Sequence, residues 1–149
     1  RSQEIAVDGS GLVASYVHTG GKVAVLLSLG TDSADVANDA KVISLAKDLC
    51  MHVAATSPVC VSREDVPEEL VAKEKDIANA QAEGKPPQAI EKIVQGKMDK
   101  YFSNACLIEQ PFVKDPDNLI KELLRTVGQD VGCELKVENF IRFQVGEGN

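Results

Sequence analysis

The sequence predicts an α+β fold in which a small three-stranded antiparallel sheet packs with helices and an antiparallel helical hairpin protrudes. Two apolar runs joined by a glycine pair predict the first two strands, and a late alternating run predicts the third. Apolar residues at three- and four-residue spacing predict the helices. We expect one domain over residues 1–149, with the hairpin inserted at about 67–104.

The first two strands flank the turn at Thr19, Gly20 and Gly21. Residues 12–17 precede this turn and residues 23–29 follow it, and glycine takes a positive φ angle at little cost. The second run is apolar at almost every position, which is typical of a strand covered on both faces. It should therefore be the central strand.

The segment from Ser33 to Ala55 has a helical apolar period and predicts one long helix that lies on the sheet. Thr31, Asp32 and Ser33 are each suitable N-caps for this helix. Pro58 ends it, because proline disfavours the helical conformation in the residue before it.

Two helices separated by a Gly84-Lys85-Pro86-Pro87 break follow, and Pro67 suits the first helical position. The first of these helices is rich in Glu, Lys, Gln and Ala, so it can bury only a thin seam and should project into solvent. The apolar residues expected at the interface of this hairpin are Leu70, Ile77, Ile90, Ile93 and Met98.

The remainder of the chain predicts one more helix and one more strand. Residues 115–117, Asp-Pro-Asp, should cap a short helix that carries apolar residues from Leu119 to Val127. Residues 140–145 then alternate in polarity, as a half-buried strand does. We expect this strand to pair with the first hairpin and the helices to cover one face of the sheet.

The charge and hydropathy of the chain exclude several classes of function. The net charge of −7 argues against direct binding of nucleic acid, which relies on clustered Lys and Arg. No stretch approaches the roughly 20 apolar residues of a membrane span, and the first residues lack the apolar core of a signal peptide. We therefore expect a soluble, intracellular protein that binds neither nucleic acid nor membrane.

The sequence indicates no metal site, cofactor or catalytic centre. Its four cysteines, at positions 50, 60, 106 and 133, form no CxxC pair, and we expect them to be reduced and buried, with disulfides the less favoured alternative. His52 lies in an apolar segment and should pack in the core. His18 lies at the first turn, where it is either a partner contact or simply a solvent-exposed surface residue. The acidic clusters, including Glu147, suit helix starts and chain ends.

Six strings resemble the elongation factor Ts family in order and spacing, and together they span almost the whole chain. They are Ser-Tyr-Val-His at 15–18, Leu-Cys-Met-His-Val-Ala-Ala at 49–55, Gly-Lys-Pro at 84–86, Ile-Val-Gln-Gly-Lys-Met at 93–98, Leu-Ile-Glu-Gln-Pro-Phe-Val at 107–113 and Arg-Phe-Gln-Val-Gly-Glu-Gly at 142–148.

The resemblance implies a non-enzymatic guanine nucleotide exchange factor of translation whose partner is elongation factor Tu. In the family, this core docks on the last β-barrel domain of that GTPase, and the histidine of the Ser-Tyr-x-His string, here His18, belongs to the contact region. Tyr16, Thr19, Gly20 and Lys22 would be its neighbours. The resemblance also implies a cytoplasmic protein, with plastid and mitochondrial matrix as alternatives.

Two features of the family are not matched, and both concern the nucleotide site of the partner. No part of residues 1–149 matches the N-terminal helical module that grips the GTPase domain in the family. The Thr-Asp-Phe-Val wedge is reduced to Thr31 and Asp32, because Ser33 stands where the family has Phe. Thr31 and Asp32 are thus either a remnant of the wedge or simply a helix cap. The chain resembles the second half of a two-part core, so we expect a fragment or, alternatively, a divergent single-core member.

A different class of function stays open from the residues alone. The helical hairpin could pair with the hairpin of a second copy, with Leu70, Ile77, Ile90, Ile93 and Met98 at the contact. The chain would then be a structural or dimerisation module.

Overall fold

The computed structural model describes residues 2–146. Within this range the chain forms two compact units, one made of residues up to Ser57 together with residues from Pro111 onward, and the other of Pro58–Gln110. The regular elements, in chain order, are β1 Gly11–Val17, β2 Val23–Gly30, α1 Ala34–Ala37, α2 Ala40–Thr56, α3 Glu68–Gln81, α4 Pro87–Ala105, β3 Pro111–Phe112, β4 Asp115–Leu119, α5 Ile120–Val131 and β5 Lys136–Gln144.

The main sheet has the strand order β1-β2-β5, and both pairings are antiparallel. The predicted α+β class, the first hairpin and the central position of β2 are therefore confirmed. On one face of β2, Val25, Leu27 and Leu29 are buried and α2 packs against them. On the opposite face Ser28 is buried, whereas Ala24 and Leu26 are only half-buried. The second face is thus covered less completely than the apolar run predicts.

The single long helix predicted from Ser33 onward is wrong. The structure has two helices, because the backbone leaves the helix at Asn38 and restarts after Asp39. The Ser33 side chain accepts a hydrogen bond from the amide of Val36 and caps α1, whereas the Asp39 side chain accepts from the amide of Lys41 and caps α2. A second capping residue inside an apolar period therefore starts a new helix.

The helix α2 ends where the sequence predicts. Ser57 takes a left-handed conformation, with φ 49°, and its amide donates to the carbonyl of Val53. The helix also buries His52 completely, as predicted. Its Nδ1 accepts a hydrogen bond from the amide of Val113 at 3.2 Å, and its ring lies 6.0 Å from that of Phe112. This histidine therefore ties α2 to the chain beyond the helical hairpin.

The 58–110 unit contains the predicted helical hairpin, formed by α3 and α4. Pro67 precedes the first helix as its N-cap residue and is not its first helical residue as predicted, whereas Pro87 occupies the first position of α4. Gly84 has a φ of 84° in the connecting turn, a conformation that glycine adopts without strain.

The stretch after the hairpin corrects a second prediction. Residues Asp115–Leu119 form a strand that pairs with β3, and they do not cap a helix. The helix begins later, at Ile120, with Leu119 as its N-cap residue and no capping side chain. The side chain of Asn118 donates to Asp115 at 2.6 Å, so these polar residues satisfy one another within the strand segment.

The final strand, β5, is longer than predicted and starts at Lys136. Its pairing with β2 shifts register between Ser28 and Leu29, which marks a β-bulge. Arg142 lies on the α2 side of the sheet and donates from Nη2 to the carbonyl of Ala54 at 3.1 Å. The family string that ends at Gly148 extends beyond the described residues, as does Glu147.

Candidate partner-binding site

The turn between β1 and β2 presents the side chains that the sequence singled out for partner binding. The amide of His18 donates to the carbonyl of Val23 at 2.9 Å, and the amide of Gly21 donates to the carbonyl of His18 at 2.8 Å. Gly20 and Gly21 have φ angles of 95° and 69°, which residues with a Cβ rarely adopt. The local sequence therefore defines the path of this turn.

Two aromatic rings meet beside this turn. The hydroxyl of Tyr16 lies 3.0 Å from Nδ1 of His18, and the ring centroids are 6.1 Å apart with the planes tilted by 50°. Tyr16 lies near the end of β1, and His18 is the first residue after that strand. The structure thus brings these two predicted residues together.

The rest of the turn surrounds this ring pair with solvent-exposed groups. His18, Thr19, Gly20 and Lys22 are exposed, and Tyr16 is half-buried. The hydrogen bond between the Tyr16 hydroxyl and Nδ1 of His18 can run in either direction, because the donor depends on the tautomer of the imidazole. The ring pair therefore keeps a hydrogen bond with either tautomer of the imidazole.

Thr31 and Asp32 make local contacts at the junction between β2 and α1. The Thr31 hydroxyl donates to the carbonyl of Ser33 at 2.8 Å, and the amide of Asp32 donates to Sγ of Cys133 at 3.2 Å. Neither residue caps a helix, so the interpretation of this pair as an N-cap is wrong, and Ser33 alone takes that role. Asp32 is exposed and Thr31 is half-buried.

The seam between α3 and α4 is made of different residues of α3 from those predicted. Ala78 and Ala82 are buried against Val94 and Met98 of α4, and Val71 lies at the edge of this cluster. Ile90 and Ile93 also pack against it. The predicted α4 residues Ile90, Ile93 and Met98 therefore lie in the seam of their own hairpin.

Leu70 and Ile77 lie outside the seam, with 37% and 42% of their surfaces exposed. The predicted interface on α3, the stripe through these two residues, is therefore on the wrong face of the helix. The prediction assumed that the large apolar side chains are the buried ones. Small residues let two helices approach closely, so Ala78 and Ala82 occupy the contact instead.

Sequence reasoning missed a charged cluster in the 58–110 unit. Arg63 donates from Nε and Nη2 to the carboxylate of Glu109, at 2.8 Å each, and from Nη1 to Asp99 at 3.2 Å. Its guanidinium also lies 4.7 Å from the centre of the Phe102 ring. The hydrogen bonds to Glu109, and then the one to Asp99, raise the pKa of Arg63 further above its ordinary value, so the guanidinium stays charged throughout the physiological range.

Two cysteines of the same unit form a second cluster that the sequence did not predict. Sγ of Cys60 lies 4.0 Å from Sγ of Cys106, and the two residues are joined as a parallel β-bridge. Cys50, Cys106 and Cys133 are buried as predicted, whereas Cys60 is only half-buried. No local sequence pattern indicates that these two cysteines meet, because 46 positions separate them.

The part of the chain that the structure describes contains neither a metal-binding cluster nor a membrane-spanning helix. No group of three or more His, Cys, Asp or Glu side chains in residues 2–146 is close enough to hold a metal ion. Within the same range, no helix is long and apolar enough to cross a membrane.

The family model described as Elongation factor TS matches residues 1–147 of this chain. The chain belongs to the elongation factor Ts family. The resemblance that the six strings indicate is therefore confirmed over nearly the whole sequence.

Relatives named elongation factor Ts give the same result at the level of whole sequences. The protein from Carboxydothermus hydrogenoformans is 42% identical over 140 residues, which cover 93% of this chain and 64% of that protein. The protein from Thermodesulfovibrio yellowstonii is 44% identical over 138 residues, covering 92% of this chain and 69% of the relative. For Clostridioides difficile the identity is 45% over 141 residues, or 93% of this chain and 45% of the relative.

This member of the elongation factor Ts family thus spans less than two thirds of two of these three relatives. The ring pair of Tyr16 and His18, the Thr31-Asp32 junction and the helical hairpin all lie inside the part that matches the family.

Proposed function

We propose that this chain docks on elongation factor Tu and takes part in releasing its GDP, acting as the docking part of a guanine nucleotide exchange factor and not as a chemical catalyst. Membership of the elongation factor Ts family supports the partner. The contact between exposed His18 and half-buried Tyr16 at a well-defined turn is the observation that carries the proposal. The relatives reported above are bacterial proteins, so the proposed place of action is the cytoplasm.

The ring pair has the properties of a contact point between proteins. Aromatic side chains contribute large contact area at low entropic cost, and hot spots of interfaces are enriched in them. The hydrogen bond to Tyr16 orients the imidazole of His18 before binding, so less rotational freedom is lost on docking. Lys22 adds a positive charge in the same turn, which suits an acidic surface on the partner.

Exchange requires no acid-base chemistry. GDP is held mainly through its phosphates and the bound magnesium ion, so a factor that prefers the nucleotide-free state lowers the affinity for GDP. Linkage requires that the factor weakens GDP binding by the same ratio by which GDP weakens binding of the factor. Shape complementarity to one state of the partner is sufficient for this activity.

We assign docking, and not the displacement of magnesium, to this chain. Ser33 occupies the position of the family's wedge phenylalanine, and its hydroxyl is engaged as the cap of α1. A serine in this role offers no apolar side chain to insert into the partner. Asp32 is exposed but lacks an aromatic neighbour in its string.

Binding and exchange can be separated in one experiment. The chain is titrated into nucleotide-free elongation factor Tu, and release of a fluorescent GDP analogue from the loaded form is followed in parallel. We expect binding without strong acceleration of release. Strong acceleration by this chain alone would contradict the assignment of docking only, and failure to bind would contradict the proposal itself.

Two variants localise the contact. His18→Ala removes the exposed ring and should weaken binding at least tenfold, as expected for an interface hot spot of about 1.4 kcal/mol or more. Gln129→Ala, at an exposed position of α5, is the matched control and should bind as the unchanged chain does. Equal affinities of the two variants would exclude His18 from the interface.

A second candidate function is self-association through the helical hairpin. The exposed side chains of Leu70 and Ile77 favour it, because they lie two helical turns apart on one face of α3 and are not used in the seam. Light scattering coupled to size exclusion tests this. A concentration-dependent dimer that Ile77→Glu abolishes would support this candidate, and a monomer at all concentrations would exclude it.

A further inference from the structure

Cys60 and Cys106 lie close together at the base of the helical hairpin. Their sulfur atoms are 4.0 Å apart, and Sγ of Cys60 also lies 3.1 Å from the carbonyl oxygen of Ser62. Cys106 is fully buried at the end of α4, whereas Cys60 is half-buried in the segment that leads to α3. The two residues thus differ in exposure, and Cys60 is the more exposed of the two.

The backbone around this pair is hydrogen-bonded as in neighbouring strands. The amide of Leu107 donates to the carbonyl of Cys60 at 2.9 Å, and the amide of Val59 donates to the carbonyl of Ala105 at 2.8 Å. Neighbouring strands lie about 4.8 Å apart, and a disulfide spans Cα atoms at roughly 4.4–6.8 Å. Rotation of the side chains can therefore bring the sulfurs to bonding distance without a large backbone movement.

We propose that Cys60 and Cys106 form an intramolecular disulfide when the protein meets a low-molecular-weight disulfide oxidant. The thiolate of Cys60, the more exposed of the two, attacks one sulfur of oxidised glutathione, forms a mixed disulfide and releases one glutathione thiolate. The thiolate of Cys106 then attacks the Cys60 sulfur and releases the second glutathione. Two protein thiols are oxidised, one glutathione disulfide is reduced, and the two thiol protons end on two glutathione molecules.

The local electrostatics make this reaction slow near neutral pH. Burial raises the pKa of both thiols, that of Cys106 to about 12. The nearby carboxylates of Asp65 and Glu109 add to the increase at Cys60, whereas Arg63 opposes it at Cys106. The thiolate is the reactive form, so few molecules react at any moment, although the proximity of the second thiol favours closure once the first bond has formed.

The consequence of closure is confined to the 58–110 unit. The new bond joins positions 46 apart and encloses α3, the turn and the whole of α4 in one covalent loop. A crosslink of this kind restricts the unfolded chain and so stabilises the folded hairpin. Oxidation therefore raises the stability of the hairpin towards unfolding, and it leaves the exposed surface of α3 and α4 unchanged.

Mass spectrometry on a glutathione redox titration tests the proposal. Trypsin leaves Cys50 and Cys60 on one peptide, residues 48–63, and Cys106 on another, residues 101–114. The titration is therefore made on the full chain carrying Cys50→Ala, with circular dichroism confirming that it folds. We expect a crosslink between these two peptides, the loss of two titratable thiols, and a retained thiol at Cys133.

Controls distinguish this pair from general thiol oxidation. The chain with both Cys50→Ala and Cys60→Ala should keep Cys106 as a thiol in the same buffer, because its sulfur is then buried and without its neighbour. In urea the specific pairing should be replaced by a mixture that includes Cys133. Stable glutathionylation of Cys60, a crosslink to Cys133 in the folded protein, a bond between two chains, or four unreacted thiols in the unchanged protein would each overturn the proposal.

Discussion

Arg63 holds Glu109 through two parallel hydrogen bonds, from Nε to Oε2 and from Nη2 to Oε1, each 2.8 Å long. The carboxylate of Glu109 is largely shielded, with 14% of its side chain exposed, whereas the Arg63 side chain is 41% exposed. A contact of two hydrogen bonds to a shielded carboxylate contributes more to the free energy of unfolding than an ordinary surface ion pair does. This contact fixes the segment before α3 to the segment after α4.

Arg63→Lys should lower the free energy of unfolding by about 1 kcal/mol. Lysine supplies one ammonium group, which cannot form both bonds to Glu109 or stack on the Phe102 ring. Urea unfolding at low salt measures the loss. The control is Lys114→Ala, which removes a single exposed contact to Asp48 and should cost less than about 0.5 kcal/mol. A larger loss for Lys114→Ala would contradict the assigned importance of the Arg63 contact.

Gly128→Ala should destabilise the protein by about 1–3 kcal/mol. A Cβ atom at this position would lie 2.6 Å from the carbonyl oxygen of Cys133, which is backbone and cannot move aside cheaply. Gly96→Ala is the matched control, because a Cβ there meets nothing within 4 Å. Alanine favours the helix, so this control should gain up to about 1 kcal/mol. Thermal melts of both variants would show opposite shifts, and shifts of the same sign would refute the close approach.

The protein should lose stability in alkali through Cys50. Burial raises the pKa of this thiol from 9.0 to about 12. Above pH 9 the unfolded chain releases the proton while the folded chain keeps it, so stability falls as the pH rises from 9 towards 12. The slope from this group approaches about 1.4 kcal/mol per pH unit.

Urea unfolding between pH 8 and pH 11 under reducing conditions measures this slope. In Cys50→Ala the free energy of unfolding should decrease less steeply with pH, whatever the effect of the substitution on stability at pH 8. Identical slopes in the two proteins would show that the Cys50 thiol titrates normally in the folded state.

Tyr16→Phe should weaken binding to elongation factor Tu about two- to fivefold, less than His18→Ala does. The substitution keeps the ring but removes the hydroxyl that bonds to Nδ1 of His18. The imidazole then rotates freely in the unbound protein and must be ordered on docking. Calorimetry should show the loss mainly in the entropy of binding. A loss as large as that of His18→Ala would mean that the Tyr16 hydroxyl itself contacts the partner.

Local patterns were sufficient to predict the sheet and the turn that carries the candidate site. The glycine pair, the apolar run of β2 and the alternation of β5 depend on neighbours within a few residues. Tyr16 and His18 are predicted as neighbours only through the resemblance to the elongation factor Ts family, and His18 lies just beyond the end of β1. The sheet and the turn could therefore be read from the sequence.

Other features depend on competition between local signals. Asp39 interrupts the apolar period of residues 33–55 with a cap of its own, so two helices form where periodicity predicts one. For α3 and its C-cap residue Ala82, periodicity alone could not decide between the stripe of Leu70 and Ile77 and the stripe that includes Ala78. The closeness of α4 decides it in favour of the small residues.

The clusters at the hairpin base could not be predicted for a different reason. Arg63 meets Glu109, and Cys60 meets Cys106, only after α3 and α4 have folded back on each other. Each pair spans 46 positions, and nothing near either residue in the sequence indicates its neighbour.

The alanine seam of the hairpin has a consequence for motion. At its base the 58–110 unit is held by the backbone ladder around Cys106 and by Arg63, whereas near Gly84 the helices meet mainly through Ala82 and its neighbours. Small side chains bury little apolar surface, so helix ends held by them open at a low free-energy cost. Amide hydrogens should therefore exchange with solvent in a gradient, fastest beside Gly84 and slowest at Ala105. The base of the hairpin thus stays folded, whereas the end near Gly84 opens transiently and opens less often at lower temperature.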